Sequence, residues 1–302
     1  MVVAPLFSVV IPTYNRAGVL KEVLKSVLAQ SCQDFEIVVV DDGSKDNPKK
    51  IIDEIADARI RFRAQENRGA SAARNAGIDL ALGRYVAFLD SDDEFLPHHL
   101  ETMRCLLENS PNTAAYARII LDRGNGRTLV KPPRALRPGE NMATYLLCDR
   151  GFVPTITLVV EREMAKRVHY DERVSFGDDK DFAIRLWLAG CEFEMAEAPG
   201  ARCSDIADPS RLSAGRKIGA VIEWIDRLRP GIPARAYHGY RGWVVAKGLV
   251  TTDPFGALKL YLNALFRGCY VPRMAAVIFL QIFLPDSLYR GLADRIIGWM
   301  RK

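Results

Sequence analysis

Short apolar runs alternate with segments of helical periodicity through the first third of the chain. Phe7 to Ile11 is an unbroken apolar run but for Ser8 and ends at Pro12, the pattern of a buried strand. Leu20, Val23, Leu24, Val27 and Leu28 then recur at three- and four-residue spacing, which predicts an amphipathic helix. Phe35 to Val40 reads as a second buried strand, closed by the turn Asp41-Asp42-Gly43-Ser44. Ile51, Ile52 and Ile55 mark a second helix, Ile60 to Arg63 a short strand, and Ala70 to Leu82 an Ala-rich helix. Tyr85 to Leu89 is a fourth strand, halted by Asp90-Ser91-Asp92-Asp93, and Pro97 opens a helix to about Glu108.

Such alternation builds a parallel sheet covered on both faces. Ligands then bind beyond the carboxyl ends of the strands. The polar groups standing there are Thr13-Tyr14-Asn15, Asp41-Asp42 and Asp90 to Asp93. Further on, Ala114 to Thr128 is strand-like around a Gly-Asn-Gly turn, and a Pro-rich connector runs from Lys131 to Pro138. Thr155 to Val160 is β-branched and strand-like, and Phe182 to Leu188 is helical with Gly190 as its stop. Beyond Ser213 the pattern is helical, broken at Pro230, Pro233, Pro254, Pro272 and Pro285.

Composition changes this picture in two ways. Hydrophobic residues make up 49% and charged residues 26%, which excludes disorder as the default. The net charge of +5 is uneven: from Arg216 onward fourteen Lys and Arg face five Asp and Glu, a local +9, so the preceding residues carry −4. An acidic body with a basic helical tail predicts two jobs. The six cysteines and four histidines show no zinc spacing, and scattered cysteines read as small buried groups in a reducing compartment. The N-terminus lacks the basic start and small-residue cleavage site of a secretory signal. No apolar stretch reaches the roughly 20 residues needed to span a bilayer. The expected location is therefore cytoplasmic.

Five segments, in order, carry a resemblance. They are Ser8 to Arg16; Val40-Asp41-Asp42-Gly43-Ser44; Asn67-Arg68-Gly69 with Ala73-Arg74-Asn75-Ala76-Gly77; Phe88 to Asp93; and Phe176-Gly177-Asp178-Asp179 with Arg185-Leu186. Together, over about residues 6 to 215, they resemble family 2 glycosyltransferases. The resemblance implies a GT-A (Rossmann-like) α/β fold: a mixed, mostly parallel sheet flanked by helices, here with a C-terminal helical extension. It divides the chain into a nucleotide-sugar half (1–113), an acceptor and catalytic half (114–214) and a basic helical extension (215–302).

It also implies roles. Pro12, Thr13, Tyr14, Asn15 and Asp42 would line the base pocket, where a carboxylate such as Asp42 accepts the N–H of a uracil. Asp90 would bind ribose or metal and Asp92 the metal, Mn2+ or Mg2+, hard ions that take one or two carboxylates plus phosphate oxygens. Arg74 would lie near the diphosphate or base, its fork suited to phosphate oxygens, unless it is an ordinary surface arginine. Asp179 would be the base that takes the acceptor's hydroxyl proton in an inverting transfer.

The expected activity is transfer of a single sugar from a nucleoside diphosphate sugar, most simply UDP-linked, in polysaccharide or glycolipid synthesis. Two departures bear on it. The family usually has Gly-Glu-Asp where this chain has Gly177-Asp178-Asp179, and many relatives have a histidine where this chain has Ala201-Arg202-Cys203-Ser204-Asp205. Asp205 is a candidate stand-in. A catalytically inactive nucleotide-sugar binder therefore stays open as an alternative. A nucleotidyltransferase is a further one, opposed by the absence of a Gly-rich basic loop after the first strand. The processive-synthase signature Gln-x-x-Arg-Trp is absent, which favours single addition.

In the tail, Leu288, Leu292, Ile296, Ile297 and Trp299 lie among Arg290, Arg295, Arg301 and Lys302, a pattern suited to an anionic membrane surface, to packing on the catalytic domain or to pairing of subunits. Ala275 to Leu284 could share that interface. The expected partners are the donor, a saccharide or lipid-linked acceptor and, for the tail, an anionic membrane. No aromatic-basic motif points to nucleic acid.

Overall fold

The computed structural model describes residues 4–124, 126–174, 176–204 and 218–285, together with Leu288. The chain divides into two units, Met1–Pro138 with Gly151–Ser210, and Gly139–Arg150 with Arg211–Lys302.

The first unit opens with β1 (Phe7–Thr13), α1 (Ala17–Leu28), β2 (Phe35–Asp41), α2 (Pro48–Ile55), β3 (Ile60–Ala64), α3 (Ala70–Leu80) and β4 (Tyr85–Phe88). Every residue of β1, β2 and β4 is buried, as expected of strands covered on both faces. α1 turns Leu20, Val23, Leu24 and Val27 inward. α3 lies so close to β1 that a Cβ on Gly77 would meet Val10 Cγ1 at 2.3 Å.

Next come β5 (Glu94–Phe95), α4 (His99–Leu107), β6 (Thr113–Asp122) and β7 (Thr128–Lys131). The chain then contributes α5 (Met142–Leu147) to the second unit. It returns with β8 (Val159–Glu161), α6 (Arg162–Val168), α7 (Asp178–Leu188) and β9 (Glu192–Ser204). The sheet order is β3-β2-β1-β4-β8-β6-β9-β5, with β7 on β6. β1 pairs in parallel with β2 and β4, and β2 with β3. β8 is antiparallel to β4 and β6, whereas β6 and β9 are parallel. This is the mixed sheet flanked by helices that the resemblance implied.

Two local expectations need correcting. Thr155–Thr157 is a 3-10 turn, not the start of a strand. Thr157 Oγ1 donates to Ala117 O at 2.9 Å and accepts from Ala117 N at 3.2 Å, so a hydroxyl replaces the ladder partner that a strand would supply. The helix expected from Pro97 starts at His99, because Leu96 N donates to Gly200 O at 2.8 Å and extends the β5–β9 pairing past Phe95.

The second unit is helical: α5, then α8 (Ile218–Leu228), α9 (Ala234–Tyr240), a π-helical turn (Arg241–Val245), α10 (Ala246–Leu249), α11 (Pro254–Phe266) and α12 (Pro272–Phe283). Pro254 and Pro272 each stand in the first helical turn, where a missing N–H costs nothing. Asp253 caps α11 by accepting from Gly256 N at 2.8 Å. Among the described residues no helix is long and apolar enough to cross a membrane. Leu292 to Lys302, with Arg290, lie outside the described residues, as does Asp205.

Candidate active site

The registers Thr13↔Asp41 and Asp41↔Ala64 bring the ends of β1, β2 and β3 level. The loops leaving them are tied by side chains. Asn15, at φ 51°, donates its N–H to Ser44 Oγ and accepts from Lys45 N through Oδ1, both at 2.9 Å. Asp41 Oδ1 accepts from Ser44 N at 2.9 Å, which closes the turn. Asp46 accepts from Ala17 N at 2.8 Å and so satisfies an orphan donor at the start of α1. Pro12 is buried and Tyr14 half exposed. Thr13 is 1% exposed, and its Oγ1 has no hydrogen-bond partner among the described residues.

Asp42 is buried and organises the next loop. Its Oδ1 accepts from Gln65 Nε2 at 2.8 Å and Arg68 N at 2.9 Å, and Oδ2 accepts from Gly69 N at 2.8 Å. A carboxylate has about four lone-pair sites, so these three bonds leave capacity on Oδ2. Gly69, at φ 90°, is the N-cap of α3. Asp42 therefore holds the start of the helix that carries Arg74.

Arg74 is not a surface arginine. Its side chain is 8% exposed, with Nη1 donating to Asp178 Oδ2 and Nη2 to Asp90 Oδ1, both at 2.7 Å. The guanidinium lies 5.3 Å from the Tyr170 ring centroid, and its Nε is buried without a hydrogen-bond partner among the described residues. Burial alone would lower the pKa of Arg74, but the Asp90 and Asp178 carboxylates outweigh it and hold the pKa above the usual arginine value. Burial raises the pKa of Asp178; Arg74 opposes this, while Asp179 and Asp90 add to it.

Next to Arg74, Asn75 fixes another chain segment. Its Oδ1 accepts from Tyr170 N at 2.7 Å and its Nδ2 donates to Tyr170 O at 3.0 Å. Tyr170 stacks on Phe182 at 4.0 Å, and Phe88 meets both rings edge-on. β4, the Tyr170 segment and α7 thus share one aromatic floor beneath the Arg74 ion pairs.

Asp179 is in the first turn of α7, where Asp178, Asp179 and Asp181 complement the helix dipole. Its side chain is 24% exposed, with Lys180 Nζ at 3.9 Å. Asp181 is committed to Arg185 at 2.6 Å. Gly177, at φ 78°, makes the turn into the helix.

A divalent cation has a narrower donor set than the run Asp90-Ser91-Asp92-Asp93 promised. Asp93 is buried, whereas the Asp90 and Asp92 side chains are about one-third exposed. Among the described residues no group of three or more His, Cys, Asp or Glu is placed to hold a metal. Two partly open carboxylates still fit a hard ion that completes its shell with phosphate oxygens and water. Arg16 Nη1 stands 3.5 Å from Asp92 Oδ2. β9, paired through Arg202 to Glu94, runs beside this acidic loop and ends at Ser204.

The structure therefore joins Arg74, Asp90 and Asp178, with Asp179 adjacent, and joins Thr13–Asn15 to the Asp41–Asp46 turn. α3 links the two groups. Sequence reasoning missed Gln65, Glu172 and the pairing of Arg16 with Asp92. Glu172 receives Arg68 at 2.7 Å and Asn75 at 3.3 Å. The one available signal was Asn75, which stood inside a motif without a role.

The model of the family described as "Glycosyl transferase family 2" matches residues 8–168. The amylovoran biosynthesis glycosyltransferase AmsB of Erwinia amylovora is 30% identical over 248 residues, covering 78% of this chain and 82% of that protein. Among solved structures, residues 1–349 of S. aureus TarS in complex with UDP-GlcNAc align with TM-score 0.66 at 17% identity, over 91% of this chain and 86% of the other. The mannosyltransferase PcManGT of Pyrobaculum calidifontis, in complex with GDP-Man and Mn2+, aligns with TM-score 0.58 at 17% identity, over 93% and 86%.

Proposed function

The chain belongs to glycosyl transferase family 2, and from that premise we propose an inverting, metal-dependent enzyme that moves one sugar from a UDP-linked donor to an acceptor hydroxyl. The observation that carries this reading is Arg74, which holds Asp90 and Asp178 together from positions 16 and 104 residues away. It sets the acidic loop after β4 beside the first turn of α7, and so brings a donor-binding carboxylate near a candidate base.

The roles follow from chemistry. Asp42 retains acceptor capacity for the N–H of a base, and the unpartnered Thr13 Oγ1 offers a further polar contact beside it. Asp90 and Asp92 are the groups that would hold Mn2+ or Mg2+. When bound, the ion would act as a Lewis acid for the departing diphosphate. Asp179, partly open, takes the proton from the attacking hydroxyl. Asp178 is turned toward Arg74, which leaves the neighbouring carboxylate for proton transfer.

The acceptor we favour is a saccharide or lipid-linked saccharide in polysaccharide synthesis, consistent with the name of the AmsB relative. A lipid-linked acceptor would be met at the cytoplasmic membrane surface by the basic C-terminal helices.

Titration calorimetry with a panel of sugar nucleotides tests the donor half. Binding of one uridine diphosphate sugar in Mn2+ should be lost with chelator and in Asp92→Ala. Asp179→Asn should keep donor binding and lose about 10²- to 10⁴-fold in turnover, the range typical of a removed general base. Donor binding with no transfer to any acceptor, in wild type and variant alike, would favour an inactive nucleotide-sugar binder.

A further inference from the structure

The C-terminal helices carry a surface that the transfer chemistry does not use. α11 buries Ala257, Tyr261 and Ala264. They share a core with Ala275, Ile278 and Ile282 of α12, and Tyr261 Oη donates to Ala275 O at 3.0 Å. Positions 255, 258 and 266 fall on the other side of α11 at helical spacing, with Leu262 between them partly buried against the core. There Phe255 is 85%, Phe266 83% and Leu258 36% exposed. A lone exposed apolar residue is ordinary, but these repeat along one line that spans roughly 16 Å at 1.5 Å per residue.

Charge identifies what covers this face. From Pro254 to Pro285 the chain has three basic residues, Lys259, Arg267 and Arg273, all exposed, and no Asp or Glu. A second copy of the same face would bring like charges together across a two-fold interface. An anionic lipid surface offers both things the face asks for, an apolar layer for the rings and negative headgroups for the flanking cations.

We infer that α11 lies in the plane of an anionic membrane surface, with Phe255, Leu258 and Phe266 inserted at the headgroup boundary and Lys259 and Arg267 among the headgroups. The inference rests on the membrane-facing reading of the C-terminal region and assigns the surface that does the binding. That surface is distinct from the tail beyond Arg290.

Vesicle co-sedimentation of the full chain tests it, with phosphatidylcholine alone and with phosphatidylcholine containing phosphatidylglycerol. Wild type should bind only the anionic vesicles and should be released by salt. Phe255→Ser/Phe266→Ser should bind on the order of tenfold more weakly. Lys259→Glu/Arg267→Glu should lose binding to a similar degree. Unchanged helical content by circular dichroism and an unchanged cooperative melt would show that both variants keep the helical unit folded. If wild type binds and the phenylalanine variant binds equally, α11 is not the surface, although the membrane reading stands. If wild type binds no vesicles, both fail. A dimer in light scattering that the phenylalanine variant dissociates would then make the face a subunit interface.

Discussion

At the scale of residues, the site depends on charge balance around Arg74. Asp178 already has a pKa above the ordinary carboxylate value because it is buried, with Asp179 and Asp90 adding repulsion and Arg74 opposing them. In Arg74→Gln that opposition is gone and the Asp178 pKa rises further. The folded protein then holds a proton in a pH range where the unfolded chain does not. Stability is favoured in acid and falls as pH climbs from the ordinary carboxylate value through the raised one. The loss relative to wild type should therefore be smallest in acid and grow as pH rises, and with Asp178 29% exposed it should stay below the roughly 3–5 kcal/mol of a fully buried pair. Thermal melts across that pH range measure it. A deficit independent of pH would mean that Arg74 stabilises by packing on Tyr170. Arg74→Lys should be intermediate, because one ammonium cannot reproduce a fork shared by two carboxylates.

Arg74 also shows where residue-level reading stops. Its identity and motif were legible, but its partners were not, since Asp178 is 104 residues away. The same holds for Asp42. A carboxylate after a buried strand was visible in the sequence. Its three donors, 23 to 27 residues away, could be found only once the loop closed around it.

At the scale of elements, apolar periodicity predicted β1 through α3 closely, because β1 and β2 are continuous buried runs and β3, half-buried at the sheet edge, still alternates. It did less well where side chains replace backbone pairing, as at Thr157, or where a two-residue strand such as β5 is defined only by its partner β9. The Ala-Gly step in α3 was seen as a motif, and its physical cause is contact. A Cβ on Gly77 would meet Val10 Cγ1 at 2.3 Å and Cγ2 at 3.2 Å, in a buried β-branched side chain with little room to turn. Gly77→Ala should therefore push α3 from β1 and cost about 1–3 kcal/mol. Because α3 carries Arg74, turnover should fall as well, even at temperatures where the variant is folded. Gly18→Ala in α1 meets nothing within 4 Å and should be neutral or stabilising by up to about 1 kcal/mol, the helix-propensity difference. Paired denaturant titrations compare the two. Equal stability would mean that the close α3–β1 approach is not what Gly77 provides.

At the scale of the whole molecule, the change from acidic body to basic helical tail was legible in the charge count. The twelve residues 139–150 that group with the C-terminal helices were not, because nothing local distinguishes them. They include α5, six buried residues capped by Asn141 through Thr144 N at 3.1 Å. α5 is followed by Cys148, whose Sγ bonds Arg235 O at 3.2 Å, and by Asp149, which pairs with Arg235 at 2.9 Å. A six-residue helix has little stability of its own, and its partners here are at α9. A chain ended at Ser210 should thus expose Met142, Tyr145, Leu146 and Leu147 and aggregate. Replacing 139–150 in that shortened chain with a Gly/Ser linker should restore a soluble protein, since closing so short a loop costs little beyond what the native segment already costs. Size-exclusion chromatography and sugar-nucleotide binding of the two shortened chains decide it. A soluble chain that ends at Ser210 and keeps its native 139–150 would show that α5 does not depend on α9. If the linker version is soluble and binds donor, the nucleotide-binding sheet folds without the helical unit, which leaves that unit free to have been selected for another surface.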